Sequence, residues 1–149
     1  IANEEWTRAM TKLQSHSASH PTSFVQYACA RALQDSQASM TAVGSMLAEY
    51  ERRRDWLIPQ LNAIRGFKCA MPEGAFYAFV DVREMLGDEF KTSADVADKM
   101  LSECQIVATD GKPFGAEGFI RLSYATSMQN LENAIERLRN LFGTSSMSA

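Results

Sequence analysis

Phe114-Gly-Ala-Glu-Gly-Phe-Ile-Arg-Leu-Ser-Tyr-Ala125 reads as a glycine-punctuated turn running into a short apolar strand with one arginine at its centre. Strand side chains alternate between faces. Ile120 and Leu122 therefore point one way, and Phe119, Arg121 and Ser123 the other. A buried guanidinium without a partner is costly, so Arg121 either reaches solvent or meets an anion. Its planar fork suits a carboxylate held through two parallel hydrogen bonds. An internal salt bridge to Asp or Glu satisfies the same requirement, and the strand pattern alone leaves both readings open.

Outward from this strand the chain alternates helical and extended patterns. Ala75 to Val82, Ala-Phe-Tyr-Ala-Phe-Val-Asp-Val, is the clearest second strand, and its aromatic and β-branched content predicts a central position covered, at least in part, on both sides. Shorter strands are expected at 67–70 and 106–108. A helix over 39–64 follows from Met40, Val43, Leu47, Tyr50, Leu57, Leu61 and Ile64, with Pro59 inside it. Ser93 is placed as the cap of a helix through Cys104 that buries Val96, Ala97, Met100 and Leu101. Thr126 and Gln129 have capping-box spacing before a last helix, which turns Met128, Leu131, Ile135, Leu138, Leu141 and Phe142 inward and stops at Gly143. Upstream, a short helix within 1–13, a polar loop over 14–21 and a helix from Ser23 to Leu33 are expected, the last with a Ser23–Gln26 capping box. The order is helices, two strands, helix, two strands, helix. It predicts an α+β fold, a small antiparallel or mixed sheet with packed helices.

The 149 residues carry a formal net charge of −3 and are 46% hydrophobic. No basic surface for nucleic acid and no run long enough for a membrane span is present. Cys29, Cys69 and Cys104 are scattered and odd in number, which suits free thiols in a reducing cytoplasm. His16 and His20 lack a third ligand, so no metal site is expected. Ser123 and Tyr124 have no base beside them, which argues against a nucleophilic triad. Gly74, between Pro72 and the aromatic strand, marks a tight turn or a close backbone approach to a ligand. The start has neither an initiator methionine nor a signal-peptide pattern, and residues upstream are expected.

Three blocks in register carry a resemblance: Gln14-Ser-His-Ser-Ala-Ser-His-Pro-Thr-Ser23, Pro72-Glu-Gly-Ala-Phe-Tyr-Ala-Phe79 and Phe114-Gly-Ala-Glu-Gly-Phe-Ile-Arg-Leu-Ser-Tyr-Ala-Thr-Ser127. Together they resemble the C-terminal part of the class I/II aminotransferases, the pyridoxal-phosphate enzymes of the aspartate aminotransferase fold, aspartate or aromatic type. The resemblance implies that 1–38 ends the large domain, that 39–143 is the C-terminal small domain with its long linking helix, and that 144–149 is a disordered tail. It implies that Arg121 holds the α-carboxylate of the substrate. The 15–21 segment is similar to the one that approaches the partner subunit's cofactor phosphate, and the 72–77 turn to the edge that moves on closure. It implies an enzyme exchanging an amino group between an L-amino acid and a 2-oxo acid on pyridoxal phosphate, as a cytoplasmic homodimer.

The departures are as informative. None of Lys12, Lys68, Lys91, Lys99 and Lys112 lies in the serine-lysine block that forms the family's Schiff base. No catalytic or cofactor-binding residue is therefore assigned to these 149 residues, which alone are expected to bind no pyridoxal phosphate and to be inactive. Where the family usually reads Val-Pro-Gly before the Phe-Gly pair, this chain has Thr109-Asp-Gly-Lys-Pro113. A non-catalytic binding or dimerisation domain, and a lyase or decarboxylase on the same scaffold, are the alternatives.

Overall fold

The structure, a computed structural model, describes residues 2–144. The chain divides into two compact units, one up to Met46 and one from Leu47.

The first unit is helical. Helix α1 (Glu4–Ser17) starts where the Asn3 side chain accepts the Trp6 N–H, and α2 (Ser23–Gln34) follows. Neither contains a buried residue: Trp6, Phe24 and Leu33 are largely exposed. Two expectations are corrected here. The polar stretch from Gln14 to Ser17 is helical, because the Ser15 and Ser17 hydroxyls donate back to the Lys12 and Leu13 carbonyls instead of interrupting the turn. The Ser23–Gln26 capping box does not form. Thr22 is the N-cap without a side-chain bond, and the Gln26 amide reaches the Pro21 carbonyl. Helix α3 (Ser36–Asn62) begins after Asp35 and contains Pro59, as the periodicity predicts.

The second unit holds a four-stranded antiparallel sheet of order β1-β2-β4-β3, built from β1 (Lys68–Cys69), β2 (Tyr77–Asp81), β3 (Thr109–Asp110) and β4 (Phe119–Ser123). Helices α4 (Ser93–Cys104) and α5 (Met128–Phe142) complete it. Ala78 and Val80 of β2 share one sheet face with Ile120 and Leu122 of β4. These four residues form the core with Leu57, Ile58 and Leu61 of α3, Val96 and Met100 of α4, and Leu131, Ile135 and Leu138 of α5. Met128, Leu141 and Phe142 pack on its margin. β2 is central, buried on one face and partly covered on the other. Its aromatics Tyr77 and Phe79 lie on the same face, opposite Ala78 and Val80, and Phe79 remains 38% exposed.

Smaller corrections have local causes. Thr92, not Ser93, caps α4: its side chain accepts the Asp95 N–H while Asp95 accepts the Thr92 N–H, a complete capping box. Leu101 is exposed and Cys104 is buried in its place. The third strand sits at Thr109–Asp110 instead of 106–108, beyond Gln105, which turns the chain with φ +56. Ser127 caps α5 by accepting the Asn130 N–H, one residue later than expected. Thr144, assigned to the tail, pairs with Ile64, and the rest of that tail lies outside the described residues.

Candidate functional site

Arg121 stands at the middle of β4, with Phe79 of β2 and Thr109 of β3 as its cross-strand partners. The predicted alternation holds: Ile120 and Leu122 are buried, while Phe119 and Arg121 are half-buried on the opposite face. The guanidinium carbon lies 4.4 Å from the ring centroid of Tyr77 and 4.6 Å from that of Phe114. Two aromatic contacts suit a weakly hydrated planar cation and fix its fork without using its N–H donors.

Among the described residues no carboxylate lies within ion-pair distance of Arg121, and none of its side-chain donors meets a protein acceptor. The internal salt bridge is thus not made, and the reason is visible. Asp81, the acid on the same face of β2, is held by the Arg83 side chain at 2.7 and 3.0 Å, and that hydrogen bond keeps its carboxyl below the ordinary range. Asp110, opposite Ile120 at the end of β3, lies on the other face of the sheet, where it accepts from the Ser93 hydroxyl at 2.7 Å. Both are committed elsewhere. The arginine keeps five donors on an open face, an arrangement suited to a planar anion.

Phe114 escaped the sequence reading. It reaches Arg121 because Lys112–Phe114 forms a 3-10 turn that folds the β3–β4 connection back over the strand. The Phe-Gly pair signalled a turn but not which way its ring points. Ser123 and Tyr124 contribute no nucleophile. The Ser123 oxygen accepts the Ala125 N–H, and Tyr124 is buried, donates to the Ala75 carbonyl and has its phenol pushed up by burial. The tight turn expected at Gly74 is carried by Ala75, which has φ +61, and no protein atom crowds Gly74. In the first unit, His16 lies in the last turn of α1 and the His20 ring meets the Pro21 carbonyl. The described residues contain no group of three or more metal-ligating side chains.

A Schiff-base amine needs shielding and a lowered pKa. Lys12, Lys68, Lys91 and Lys112 are exposed. Lys68 and Lys99 are raised instead, by hydrogen bonds to Glu84 and Glu103.

The model of the family described as aminotransferase class I and II matches residues 1–138. An aspartate/prephenate aminotransferase of Nitrosomonas europaea is 39% identical over 140 residues, covering 89% of this chain and 34% of its own. The aromatic-amino-acid aminotransferase 2 of Thermococcus litoralis is 37% identical over 144 residues, covering 95% of this chain and 36% of its own. Among solved structures, the aromatic aminotransferase of Pyrococcus horikoshii superposes with a TM-score of 0.80 at 38% identity, over 95% of this chain and 37% of its own. The aspartate aminotransferase of Thermus thermophilus with maleate gives 0.80 at 34% identity, over 95% and 35%. The chain spans about a third of the length of the curated relatives it matches. No helix among the described residues is long and apolar enough to cross a membrane.

Proposed function

Starting from a chain that belongs to the class I and II aminotransferases, we propose that it supplies the substrate-carboxylate clamp of a longer pyridoxal-phosphate-dependent enzyme. Arg121 is the clamp. The observation that carries this reading is an arginine steadied by Tyr77 and Phe114 with every side-chain donor left unpaired. Two parallel N–H···O bonds fix the plane of an incoming carboxylate, and with it the direction of the bonds at the neighbouring Cα. The reaction is exchange of an amino group between an L-amino acid of aspartate or aromatic type and a 2-oxo acid. Both substrates carry the same carboxylate, so one arginine serves both halves of the exchange.

The 149 residues are inactive alone in this reading, because no lysine among them is suited to hold the cofactor. Residues 1–38 belong to the large domain and 39–143 to the small one. Exposed Trp6, Phe24 and Leu33 in the first unit supply apolar surface for a homodimer. The unpaired cysteines suit a cytoplasmic setting.

The test replaces Arg121 by alanine in the complete enzyme and measures kcat/KM for L-aspartate, L-tyrosine and 2-oxoglutarate. Two charge-assisted hydrogen bonds contribute about 1.5–3 kcal/mol each, so a loss of about 10²- to 10⁴-fold is expected for every substrate, mostly in KM. A loss for one substrate only would assign Arg121 to a side-chain group instead. Release of carbon dioxide or ammonia in place of a 2-oxo acid would move the enzyme to the decarboxylases or lyases.

A further inference from the structure

We infer that Ser93 is a positioning residue for the Arg121 clamp, acting through the loop that carries Phe114; the inference rests on the carboxylate-binding reading of Arg121. Ser93 is the fully buried polar side chain among the described residues, with none of its surface exposed. It is the first residue of α4, yet its hydroxyl is not spent on its own helix, since Thr92 and Asp95 already close the capping box there. Instead the Ser93 hydroxyl lies 2.7 Å from Asp110 Oδ1 and 3.0 Å from Glu117 Oε1, and it accepts the Gly118 N–H at 3.0 Å. The Ser93 N–H donates to Glu117 Oε1 at 3.1 Å.

A hydroxyl has one proton. The shorter contact gives it to Asp110, and Glu117 is held by the backbone N–H. One residue thus grips both ends of the β3–β4 connection, Asp110 where it leaves β3 and Glu117-Gly118 where it enters β4. Between those ends the loop closes on itself through Gly111 N–H to Phe119 O at 2.8 Å and Ala116 N–H to Gly111 O at 3.1 Å. The exposed turn at its tip holds the Phe114 ring 4.6 Å from the Arg121 guanidinium carbon.

The tip is closed by its own backbone bonds, Phe114 N–H to Gly111 O and Gly115 N–H to Lys112 O, each 2.9 Å, while Lys112, Pro113, Phe114 and Gly115 are all exposed, so it turns as one piece with the loop's base. The direction of the Phe114 ring is therefore set at the loop's base, where Ser93 sits. Releasing the base lets Phe114 leave the guanidinium, which then samples more rotamers and must be ordered again by each incoming carboxylate. That cost falls on binding, in KM for both the amino acid and the 2-oxo acid.

The experiment measures KM and kcat in the complete enzyme for Ser93→Ala, Asp110→Ala and Asp110→Asn, with Arg121→Lys alongside. Ser93→Ala and Asp110→Ala are each expected to raise KM about fivefold for both substrates, the worth of one hydrogen-bonded anchor, with kcat within about twofold. Asp110→Asn keeps an acceptor oxygen and restores KM to near the wild-type value. In the Arg121→Lys background Ser93→Ala adds no further increase, because the clamp through which it acts is gone. Should Ser93→Ala fail to fold, the two Asp110 variants decide. If Arg121→Lys raises KM but Ser93→Ala and Asp110→Ala do not, or if their losses fall on kcat or persist unchanged without Arg121, the positioning role is wrong and the clamp stands. If Arg121→Lys itself leaves KM unchanged, the clamp falls and this inference with it.

Discussion

Replacing Gly111 by alanine tests whether the loop that closes over Arg121 is built by steric fit. Gly111 has φ −77, a conformation open to any residue, so backbone freedom is not the reason for glycine here. Space is. A Cβ at this position would stand 2.3 Å from the Ala116 carbonyl oxygen, 2.6 Å from the Phe119 carbonyl oxygen and 3.0 Å from Phe119 Cβ. The first two are backbone atoms that cannot swing away as a long side chain would, so the chain on one side of the loop must move by about 1 Å to reach ordinary contact distance. That movement breaks the Gly111 N–H to Phe119 O and Ala116 N–H to Gly111 O bonds, since each joins the two segments being pushed apart.

Two net hydrogen bonds at about 1 kcal/mol each, with some residual crowding, give a destabilisation of about 2–3 kcal/mol. For a unit of this size that is a fall in Tm of about 10–20 °C. Thermal unfolding followed by circular dichroism measures it, with Gly74→Ala as the control, because a Cβ at Gly74 meets no atom within 4 Å. A Gly111→Ala variant that melts within about 3 °C of the parent would refute the steric argument. A Gly74→Ala variant that falls as far would show that turn glycines matter for a reason other than crowding.

Two further outcomes follow from the caps and ion pairs. Thr92→Ala removes one half of the α4 capping box and is expected to cost about 1 kcal/mol by chemical denaturation, whereas Thr92→Ser keeps the acceptor and costs little. Hydrogen bonds from Arg52 and then Arg53 hold the Glu49 carboxyl down from an ordinary 4.5 to about 2. A folded value below the unfolded one means that its stabilisation is complete above the unfolded value and is lost as pH falls through about 2. A carboxyl carbon titration by NMR that places Glu49 near 4.5 would show that these pairs do not persist in solution.

Much of the second unit was legible because its signals are local. The alternation around Arg121 follows from the two-residue period of a strand, and the inward residues of α5 from a helical period. What was not legible depended on contacts distant in sequence. Thr92 and Ser93 are both competent caps, and only the partners of Ser93, 17 to 25 residues away, show that it faces inward. The aromatic run of β2 suggested at least partial cover on both sides, but composition does not say that Tyr77 and Phe79 share the more open face. In the first unit the serines of Gln14 to Ser17 looked like a loop, since nothing in the residues shows that their hydroxyls turn back onto the helix. Asp110, noted as a departure from the family pattern, gained its meaning only once Ser93 stood beside it.

The arrangement of charge around Arg121 is as informative as the arginine. An unpaired guanidinium on a sheet draws in any free carboxylate within reach, and a clamp filled by its own chain binds no substrate. Among the described residues Asp81 shares the sheet face of Arg121, Asp110 stands opposite Ile120 on the other face, and Glu117 lies in the loop that enters β4. Each has its own tether. Arg83 grips Asp81 through two nitrogens, and Ser93 holds Asp110 by its hydroxyl and Glu117 by its N–H. Arg83 also lies 5.2 Å from the Phe119 ring, which stacks on Phe79, the cross-strand neighbour of Arg121. Arg83 therefore both holds Asp81 and packs on the aromatic pair beside the arginine. In the carboxylate-clamp reading, affinity for an outside carboxylate rests on keeping Asp81 occupied as well as on the fork itself.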